Sequence, residues 1–288
     1  MNKKLIVITG PTASGKTKIS INLAKKINAE IICADSRIVY KNLDIVSAKP
    51  TLAERDGIIH HLVDIIEPNI EFSAGDFVAL AKEKINEIWN QGKNVVICGG
   101  TWFYIKSLLD EKALPACSIN QELRKELEKL DNKTLWEKLN ELDNIRASLI
   151  HPNNKDKIIR SIEMCLALGE PISSYKRPEN KPFETSWYMP NWEREVLYER
   201  INIRVDEMMK LGLYEEWLKN KELYPDSKII QNTIGYSEFF EYEDINLAVD
   251  KIKQHTRNFA KRQLTYFRSN SKIKLIKNED DILKDFNN

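Results

Sequence analysis

Residues 5–17 read Leu5-Ile6-Val7-Ile8-Thr9-Gly10-Pro11-Thr12-Ala13-Ser14-Gly15-Lys16-Thr17. The stretch from Gly10 matches the pattern G-x-x-x-x-G-K-[ST], and the apolar run before it is where a strand should turn into a helix. The glycines let backbone N–H groups point inward at an anion, and the first turn of the following helix adds unpaired N–H groups and its dipole. Lys16 brings a mobile positive charge, and Thr17 a hydroxyl suited to Mg²⁺. The stretch therefore predicts a loop that binds a di- or triphosphate.

Short β-branched runs alternate along the chain with segments of helical periodicity. The runs that predict strands are 5–8, 30–33, 62–66, 94–98 and 272–276. Helices between and after these runs are predicted at 77–91, 193–211 and 246–267. The alternation indicates an α/β fold, a phosphate-loop NTPase-like parallel sheet flanked by helices.

The middle of the chain differs in character from the rest. Its charged amphipathic helices, predicted at 121–142 and 156–168, come without a convincing strand. We interpret this region as an all-helical insertion. The predicted boundaries are 1–111 for the first part of the core, 112–185 for the insertion and 186–288 for the second part of the core.

Composition narrows the class of protein. The net charge is +1, with 44 Lys and Arg against 43 Asp and Glu, so a polyanionic partner must be recognised by a local cluster of charge. The cysteines, Cys33, Cys98, Cys117 and Cys165, are widely spaced and indicate neither a zinc site nor a disulfide framework. The early start of the first strand leaves no room for a signal peptide, and no apolar stretch approaches membrane-spanning length. We expect a cytoplasmic protein, monomeric and without a membrane partner.

Two further segments should face the same crevice as the phosphate loop. Asp35 follows the run 30–33, and Gly99-Gly100-Thr101 follows the run 94–98. In open α/β sheets ligands sit beyond the carboxyl ends of the strands. Asp35 could accept a proton there, or it could cap a helix or order Mg²⁺ through water. The glycines permit a close backbone approach, and Thr101 offers a hydroxyl and an N–H near whatever Asp35 touches.

Residues 251–278 form a block of one charge sign. They contain nine basic and no acidic residues, and Phe259, Tyr266 and Phe267 lie among the charges. This composition suits a phosphate backbone and exposed bases. The alternative is a solvated basic helix.

Arg200 and Arg204 are one helical turn apart, so both can point to one site. They could clamp a leaving pyrophosphate. The alternative is a pair of structural salt bridges to Glu199 or Glu207.

Other short motifs accompany these residues over nearly the whole chain. They are Ala34-Asp35-Ser36 with Tyr40, Ala48-Lys49-Pro50, His60-His61-Leu62-Val63-Asp64, Ile158-Ile159-Arg160 with Glu163, Arg200-Ile201 with Arg204-Val205-Asp206, Ile234-Gly235-Tyr236 with Glu238, and Thr256-Arg257 with Ala260-Lys261-Arg262-Gln263. In order and spacing, this set resembles the bacterial tRNA dimethylallyltransferases, also called tRNA isopentenyltransferases.

The resemblance implies a specific reaction. A dimethylallyl group would pass from dimethylallyl diphosphate, with the help of Mg²⁺ near Thr17, to the N6 amine of the adenosine 3′ of the anticodon in tRNAs that read codons beginning with U. The phosphate loop with Lys16 and, by family match, Arg204 would stabilise the leaving pyrophosphate. Asp35 would accept the proton of the amine, and Thr101 would hold Asp35 or the base in line. The target base would be flipped out of the anticodon stem-loop.

The resemblance also directs the choice of tRNA contacts. These are Asp35, Ser36, Arg37, Ile38 and Thr101 around the site, Arg124, Lys157 and Arg160 on the insertion, and Arg257, Lys261 and Arg262 on the late helix. The chain departs from the family pattern mainly on this side: Ile38 replaces a glutamine, Lys157 an arginine, and Trp102-Phe103 a Gly-Leu pair. We expect an active enzyme with altered tRNA selection.

Two other classes of protein account for part of the sequence. A small-molecule P-loop kinase, in which Asp35 activates a substrate hydroxyl, explains the first hundred residues equally well. It does not need the acid-free basic helix, whereas an RNA enzyme does. A nucleic-acid-binding module without catalysis explains that helix but leaves Lys16, Thr17 and Asp35 unused together.

Overall fold

The computed structural model describes residues 4–110, 120–176 and 183–286, and a six-stranded sheet forms its centre. The strands are β1 Lys4–Thr9, β2 Ala29–Cys33, β3 His60–His61, β4 Asn94–Gly99, β5 Glu184–Pro190 and β6 Ile273–Ile276. Their order across the sheet is β3-β2-β4-β1-β5-β6, and every neighbouring pair is parallel. The predicted α/β fold is confirmed.

Helices flank the sheet and form the middle of the chain. They are α1 Lys16–Ile27, α2 Leu52–Arg55, α3 Ala74–Asn90, α4 Trp102–Leu109, α5 Gln121–Glu128, α6 Asn132–Leu142, α7 Asn144–Ser148, α8 Lys155–Leu168, α9 Arg194–Lys210, α10 Leu213–Leu223, α11 Lys228–Asn232, α12 Ser237–Glu241, α13 Ile245–Arg268 and α14 Glu279–Phe286. Within the described ranges, none of them is both long and apolar enough to cross a bilayer.

Apolar side chains of three neighbouring strands form the centre of the core. Ile8 of β1, Ile31 of β2 and Val96 of β4 are fully buried and pack with Leu23 of α1. Burying each such side chain contributes about 1.5–3 kcal/mol. Because β2, β4 and β1 are adjacent and parallel, the chain leaves all three strands at the same edge of the sheet.

One predicted strand is wrong. The run 62–66 is not a strand, and the strand of this region is the two-residue β3 before it. Leu62 and Asp64 have φ angles of 61° and 56°, which lie in the left-handed region that an extended strand does not use. The strands predicted at 5–8, 30–33 and 94–98 are confirmed within a residue or two.

A strand that the sequence did not predict lies next to β1. In β5, Glu184 and Thr185 already pair with Lys4 and Leu5 of β1. These two residues therefore belong to the sheet, and the predicted end of the insertion at 185 is too late. β-Prone residues follow in Trp187 and Tyr188.

The chain divides into two compact units, one made of Met1–Leu109 with Pro182–Asn288 and the other of Asp110–Lys181. The second unit is helical in its described residues and has a core of its own, to which Leu135, Leu139, Ile158 and Ile162 belong. The prediction of one helix at 121–142 is wrong, since the segment forms two helices, α5 and α6. The break lies before Asp131, whose side chain accepts from two backbone N–H groups and caps α6.

Three cysteines of the described residues are buried free thiols, namely Cys33, Cys98 and Cys165. Burial raises the pKa of the Cys33 thiol well above its ordinary value, so the thiol stays protonated. Cys117 lies outside the described residues.

Candidate active site

The phosphate loop connects the end of β1 to α1, which begins at Lys16. Gly10, Ala13 and Gly15 have φ angles of 142°, 60° and 84°, so the chain curls tightly before the helix begins. The ammonium group of Lys16 donates to the carbonyl of Pro11 across this curl at 2.7 Å. The loop thus has the curled shape and the cation of an anion-binding cradle.

The hydrogen-bonding groups of the loop are only partly used by the protein. Thr12 N donates to Oε1 of Gln263 at 2.9 Å. This N–H group of the predicted diphosphate-binding loop is therefore already bonded to the protein. Ser14 is 1% exposed, and its buried hydroxyl has no hydrogen-bond partner among the described residues. Buried polar groups are normally paired. The Ser14 hydroxyl is therefore unused hydrogen-bonding capacity within the loop.

Two side chains from the segment after β5 donate hydrogen bonds to carbonyl groups of the phosphate loop. Trp192 Nε1 donates to the carbonyl of Ser14, and Arg200 Nε to the carbonyl of Ala13, each at 2.9 Å. The Arg200 guanidinium also lies 4.4 Å from the centre of the Trp192 ring. Sequence spacing predicted that Arg200 joins Arg204 on the pyrophosphate or forms a salt bridge to Glu199 or Glu207, but its Nε donates to the phosphate loop.

Arg204, one turn further along α9, is placed differently. In the part of the chain that the structure describes, it has no hydrogen-bond or ion-pair partner. Burial lowers the pKa of its guanidinium, while the charges of Asp35 and Glu207 oppose that shift. The salt-bridge alternative fails for this residue, and its donors remain open to a ligand.

Asp35 lies beyond the end of β2, and half of its carboxylate is already used. Oδ1 accepts from the backbone N–H groups of Arg37 at 2.8 Å and Ile38 at 3.4 Å, which fixes a tight turn. Oδ2 has no hydrogen-bond partner among the described residues. Asp35 therefore caps a turn with one oxygen and presents the other, and its role as a base stays a prediction.

Thr101 fixes the same turn from the neighbouring strand. Its Oγ1 accepts from Ser36 N at 3.0 Å, and its own N–H donates to the carbonyl of Ala34 at 3.2 Å. The hydroxyl thus reaches the backbone next to Asp35 rather than the carboxylate itself. Thr101 orients the Asp35 turn through Ser36.

Three charges from separate elements act on one another at this edge of the sheet. Burial lowers the pKa of Lys16 to about 8, Asp35 and Cys98 oppose the shift, and Arg204 adds to it. Asp35 also acts on the pKa of Arg204. These three charges, on the phosphate loop after β1, on the turn after β2 and within α9, therefore influence one another.

Gly99, the last residue of β4, allows β4 and the Asp35 turn to approach each other. A Cβ atom at this position would lie 2.0 Å from the carbonyl oxygen of Ala34. Both segments are backbone, so neither can move aside like a flexible side chain.

We expect Gly99→Ala to lower the free energy of unfolding by about 3 kcal/mol, because the added methyl forces the two strand ends apart. Urea denaturation measures the effect. Gly75→Ala, in the first turn of α3, is the matched control, since its Cβ would lie at an ordinary contact distance of 3.4 Å from Ser73 Oγ. It should change stability by less than about 1 kcal/mol. Equal losses in the two variants would contradict this account.

Gln263 of α13 is a site residue for which the sequence analysis predicted no role. Its Oε1 accepts from Thr12 N and its Nε2 donates to the carbonyl of Gly100, both at 2.9 Å. These contacts join residues 251 and 163 positions apart in the chain. Its sequence signals are its place in the motif run that begins at Ala260 and its position on the side of α13 that carries the buried Ala260 and Phe267.

Ile38 stands three residues after Asp35, where the family pattern has a glutamine. Ile38 is partly buried and packs against the core of the sheet. Arg37 donates from its NH1 to the carbonyl of Ser36 at 3.1 Å. The Ile38 side chain therefore adds apolar packing where an amide would have offered hydrogen bonds.

The basic helix α13 has distinct buried and exposed faces. Ala260, Gln263 and Phe267 are buried, whereas Lys261 and Arg262 are exposed. The Arg262 guanidinium lies 5.8 Å from the ring centre of exposed Phe259. Arg257 differs, since it is half-buried and donates to Oδ1 of Asn202.

The cations selected on the helical unit also differ from one another. Arg124 donates to both oxygens of Glu163 at 3.0 and 2.9 Å, and Arg160 donates to Oε2 of the same residue at 3.2 Å. The Glu163 carboxylate is buried, so both arginines satisfy a buried charge. Lys157 is exposed.

Comparison with known proteins gives concordant results. The model of the family described as IPP transferase matches residues 38–270. A tRNA dimethylallyltransferase of Lachnoclostridium phytofermentans is 41% identical over 289 residues, which cover 96% of this chain and 92% of the relative. The crystal structure of the full-length tRNA isopentenylpyrophosphate transferase of Bacillus halodurans has a TM-score of 0.69 and 38% identity, covering 95% of this chain and 89% of that one. The structure of a eukaryotic dimethylallyltransferase acting on tRNA has a TM-score of 0.81 and 29% identity. The match covers 92% of this chain and 69% of that one.

The parallel sheet, the phosphate loop and the carboxylate beyond the next strands define a phosphate-loop α/β transferase. The similarities extend over nearly the whole length of the chain. The chain belongs to the bacterial tRNA dimethylallyltransferase family and is a prenyltransferase. Membership confirms the resemblance and decides against the kinase and the non-catalytic binding module.

Proposed function

We propose that this enzyme transfers a dimethylallyl group from dimethylallyl diphosphate to the N6 amine of the adenosine 3′ of the anticodon, in tRNAs that read codons beginning with U. The observation that carries the proposal is geometric: the phosphate loop with Lys16, the Asp35 turn and Thr101 follow three adjacent parallel strands at one edge of the sheet, and Thr101 contacts the Asp35 turn. The tRNA dimethylallyltransferase name of the bacterial relatives supports the choice of donor and acceptor.

On the donor side, the allylic C–O bond breaks and negative charge accumulates on pyrophosphate. The N–H groups of Ala13, Gly15, Lys16 and Thr17 stabilise that charge together with the Lys16 ammonium and the Arg204 guanidinium. Partial burial strengthens each of these interactions relative to water. The lowered pKa of about 8 leaves Lys16 mostly charged at neutral pH, and a bound diphosphate favours its charged form further.

On the acceptor side, the lone pair of N6 forms the new bond to the allylic carbon as the C–O bond breaks. The N6 proton passes to Asp35 Oδ2, the oxygen that accepts from no residue in the described part of the chain. Oδ1 stays bonded to Arg37 N, and Thr101 holds the turn through Ser36. The carboxylate is thus oriented before the substrate arrives, which lowers the barrier by positioning.

A divalent cation fits the donor side of this site. The exposed hydroxyl of Thr17 lies at the start of α1, and Mg²⁺ typically takes one or two protein oxygens together with phosphate oxygens and water. When bound, Mg²⁺ neutralises charge on the diphosphate. Within the described ranges, no group of three or more His, Cys, Asp or Glu could hold a metal without such phosphate oxygens.

The exposed face of α13 supports tRNA as the acceptor. Lys261 and Arg262 supply charge for phosphates, and exposed Phe259 and Tyr266 supply rings on which bases can stack. On the helical unit, exposed Lys157 is the freer of the proposed contacts, since Arg124 and Arg160 also serve Glu163.

Removing both exposed cations, with Lys261→Ala and Arg262→Ala together, should weaken tRNA binding and reduce the slope of log K against log salt concentration by about 2. Each lost cation releases one counterion fewer on binding. Filter-binding titrations at several salt concentrations measure the slope. Lys219→Ala, an exposed lysine of α10, is the control and should leave it unchanged. An unchanged slope in the double variant would remove α13 from the tRNA surface.

The reaction itself is tested with the purified chain, dimethylallyl diphosphate, Mg²⁺ and an anticodon stem-loop that reads a U-initial codon. Mass analysis of the digested nucleosides should detect one dimethylallyl adenosine per stem-loop. A matched stem-loop with purine riboside at the target position lacks the amine and should stay unmodified. Absence of prenylated adenosine with every cognate stem-loop would refute the proposal.

A further inference from the structure

The amide of Gln263 joins two loops that the proposed reaction uses from different sides. It accepts from Thr12 N and donates to the carbonyl of Gly100, and the side chain is 6% exposed. Thr12 belongs to the phosphate loop, and Gly100 directly precedes Thr101, which orients the Asp35 turn. One buried side chain therefore links the diphosphate cradle to the base-facing loop.

The geometry around this amide is tight. A Cβ atom at Gly100 would lie 2.6 Å from Nε2 of Gln263 and 3.3 Å from the carbonyl oxygen of Gly10. The position therefore requires glycine if the amide is to stay in place. The two loops offer one N–H and one carbonyl, and a neutral amide matches them with one acceptor and one donor.

We infer that Gln263 is a positioning residue for prenyl transfer, a role that rests on the proposed function. It sets the separation between the phosphate cradle and the loop of Thr101, and hence the distance from the leaving pyrophosphate to the Asp35 carboxylate. Binding of a diphosphate uses the cradle alone, whereas transfer uses both sides. Loss of the link therefore acts on kcat and spares diphosphate binding. A displacement of about 1 Å in such a site costs about 100-fold in rate.

The first test compares Gln263→Leu with Gln254→Leu, an exposed glutamine on the same helix. The Gln263 variant should lose about 10- to 100-fold in kcat, with KM for dimethylallyl diphosphate and the calorimetric Kd of inorganic pyrophosphate changed less than about threefold. The Gln254 variant should match the unaltered enzyme in all three. Assays run below the unfolding temperature of each variant separate this effect from a loss of stability.

The second test uses Gln263→Glu and the pH profile. As a carboxylate, the new group accepts from Thr12 N but repels the carbonyl of Gly100. As a carboxylic acid, it donates to that carbonyl and reproduces both contacts. The ratio of its kcat to that of the unaltered enzyme should therefore rise as the pH falls from 8 to 6, while the ratio for Gln263→Leu stays low throughout.

Parallel losses of pyrophosphate affinity and kcat in Gln263→Leu would make this residue part of the cradle and overturn the inference. So would an unchanged kcat in the folded variant, or a flat ratio for Gln263→Glu. Failure of the proposed function is distinct, because the unaltered enzyme would then form no prenylated adenosine.

Discussion

Asp35→Asn should lower kcat for prenyl transfer by about 10²- to 10⁴-fold, the usual contribution of a general base. The amide oxygen can still accept from Arg37 N and Ile38 N, so the turn is retained. What disappears is the free carboxylate oxygen that takes the N6 proton. Single-turnover kinetics with an anticodon stem-loop, at saturating dimethylallyl diphosphate, measure the loss directly.

Two comparisons make this result specific to catalysis. The Kd of inorganic pyrophosphate should not increase in Asp35→Asn, because the substitution removes a negative charge that repels the bound anion. Asp226→Asn, at an exposed position of the same unit, should keep the full rate. A rate within threefold of the unaltered enzyme for Asp35→Asn would assign Asp35 to the turn alone.

Lys16→Met should lower kcat/KM for dimethylallyl diphosphate by about 10²- to 10³-fold, as expected when one charged donor to a leaving group is removed. The methionine has a similar length without charge, and it lacks only the hydrogen bond that Lys16 donates to the Pro11 carbonyl. Steady-state kinetics and pyrophosphate calorimetry provide the measurements. Lys18→Met, exposed on the next part of α1, is the matched control and should retain activity.

The same substitution should raise the stability of the protein without ligand or Mg²⁺. The pKa of Lys16 is lowered to about 8 from 10.5, so the unfolded chain binds more protons between these values and stability rises with pH in that window. Below pH 8 the charged lysine destabilises the native state, and Lys16→Met removes that cost. Urea denaturation at pH 7 and pH 10 should show the larger gain at pH 7. A loss of stability at pH 7 would contradict this assignment.

Local patterns were sufficient to predict the phosphate loop and the strands on which it depends. Each is a run of neighbouring residues whose side-chain alternation or glycine spacing has a direct physical meaning. The β3 region was mispredicted because Leu62 and Asp64 adopt positive φ within an otherwise strand-like run. The unit boundary was misplaced because β5 is defined by its pairing with β1, a contact across about 180 residues.

The supporting residues of the site could not be predicted for the same reason. Trp192, Arg200 and Gln263 contact the phosphate loop from 178, 187 and 251 residues away. The divergent roles of Arg200 and Arg204 likewise depend on tertiary packing, because their spacing within one helix is compatible with a shared role. For the insertion, no local pattern reveals that Arg124 and Arg160 meet at Glu163.

The position of β5 in the sheet affects how a growing chain can assemble. β1 pairs with β4 on one side and β5 on the other, yet the whole helical unit is synthesised between those two partners. Until residue 184 leaves the ribosome, the strand that leads into the phosphate loop has an open edge, the kind of edge that pairs with other chains. The helical unit, with a core of its own, has no such dependence. The phosphate loop is therefore completed late in synthesis, although it lies about 180 residues upstream of the strand that completes its sheet.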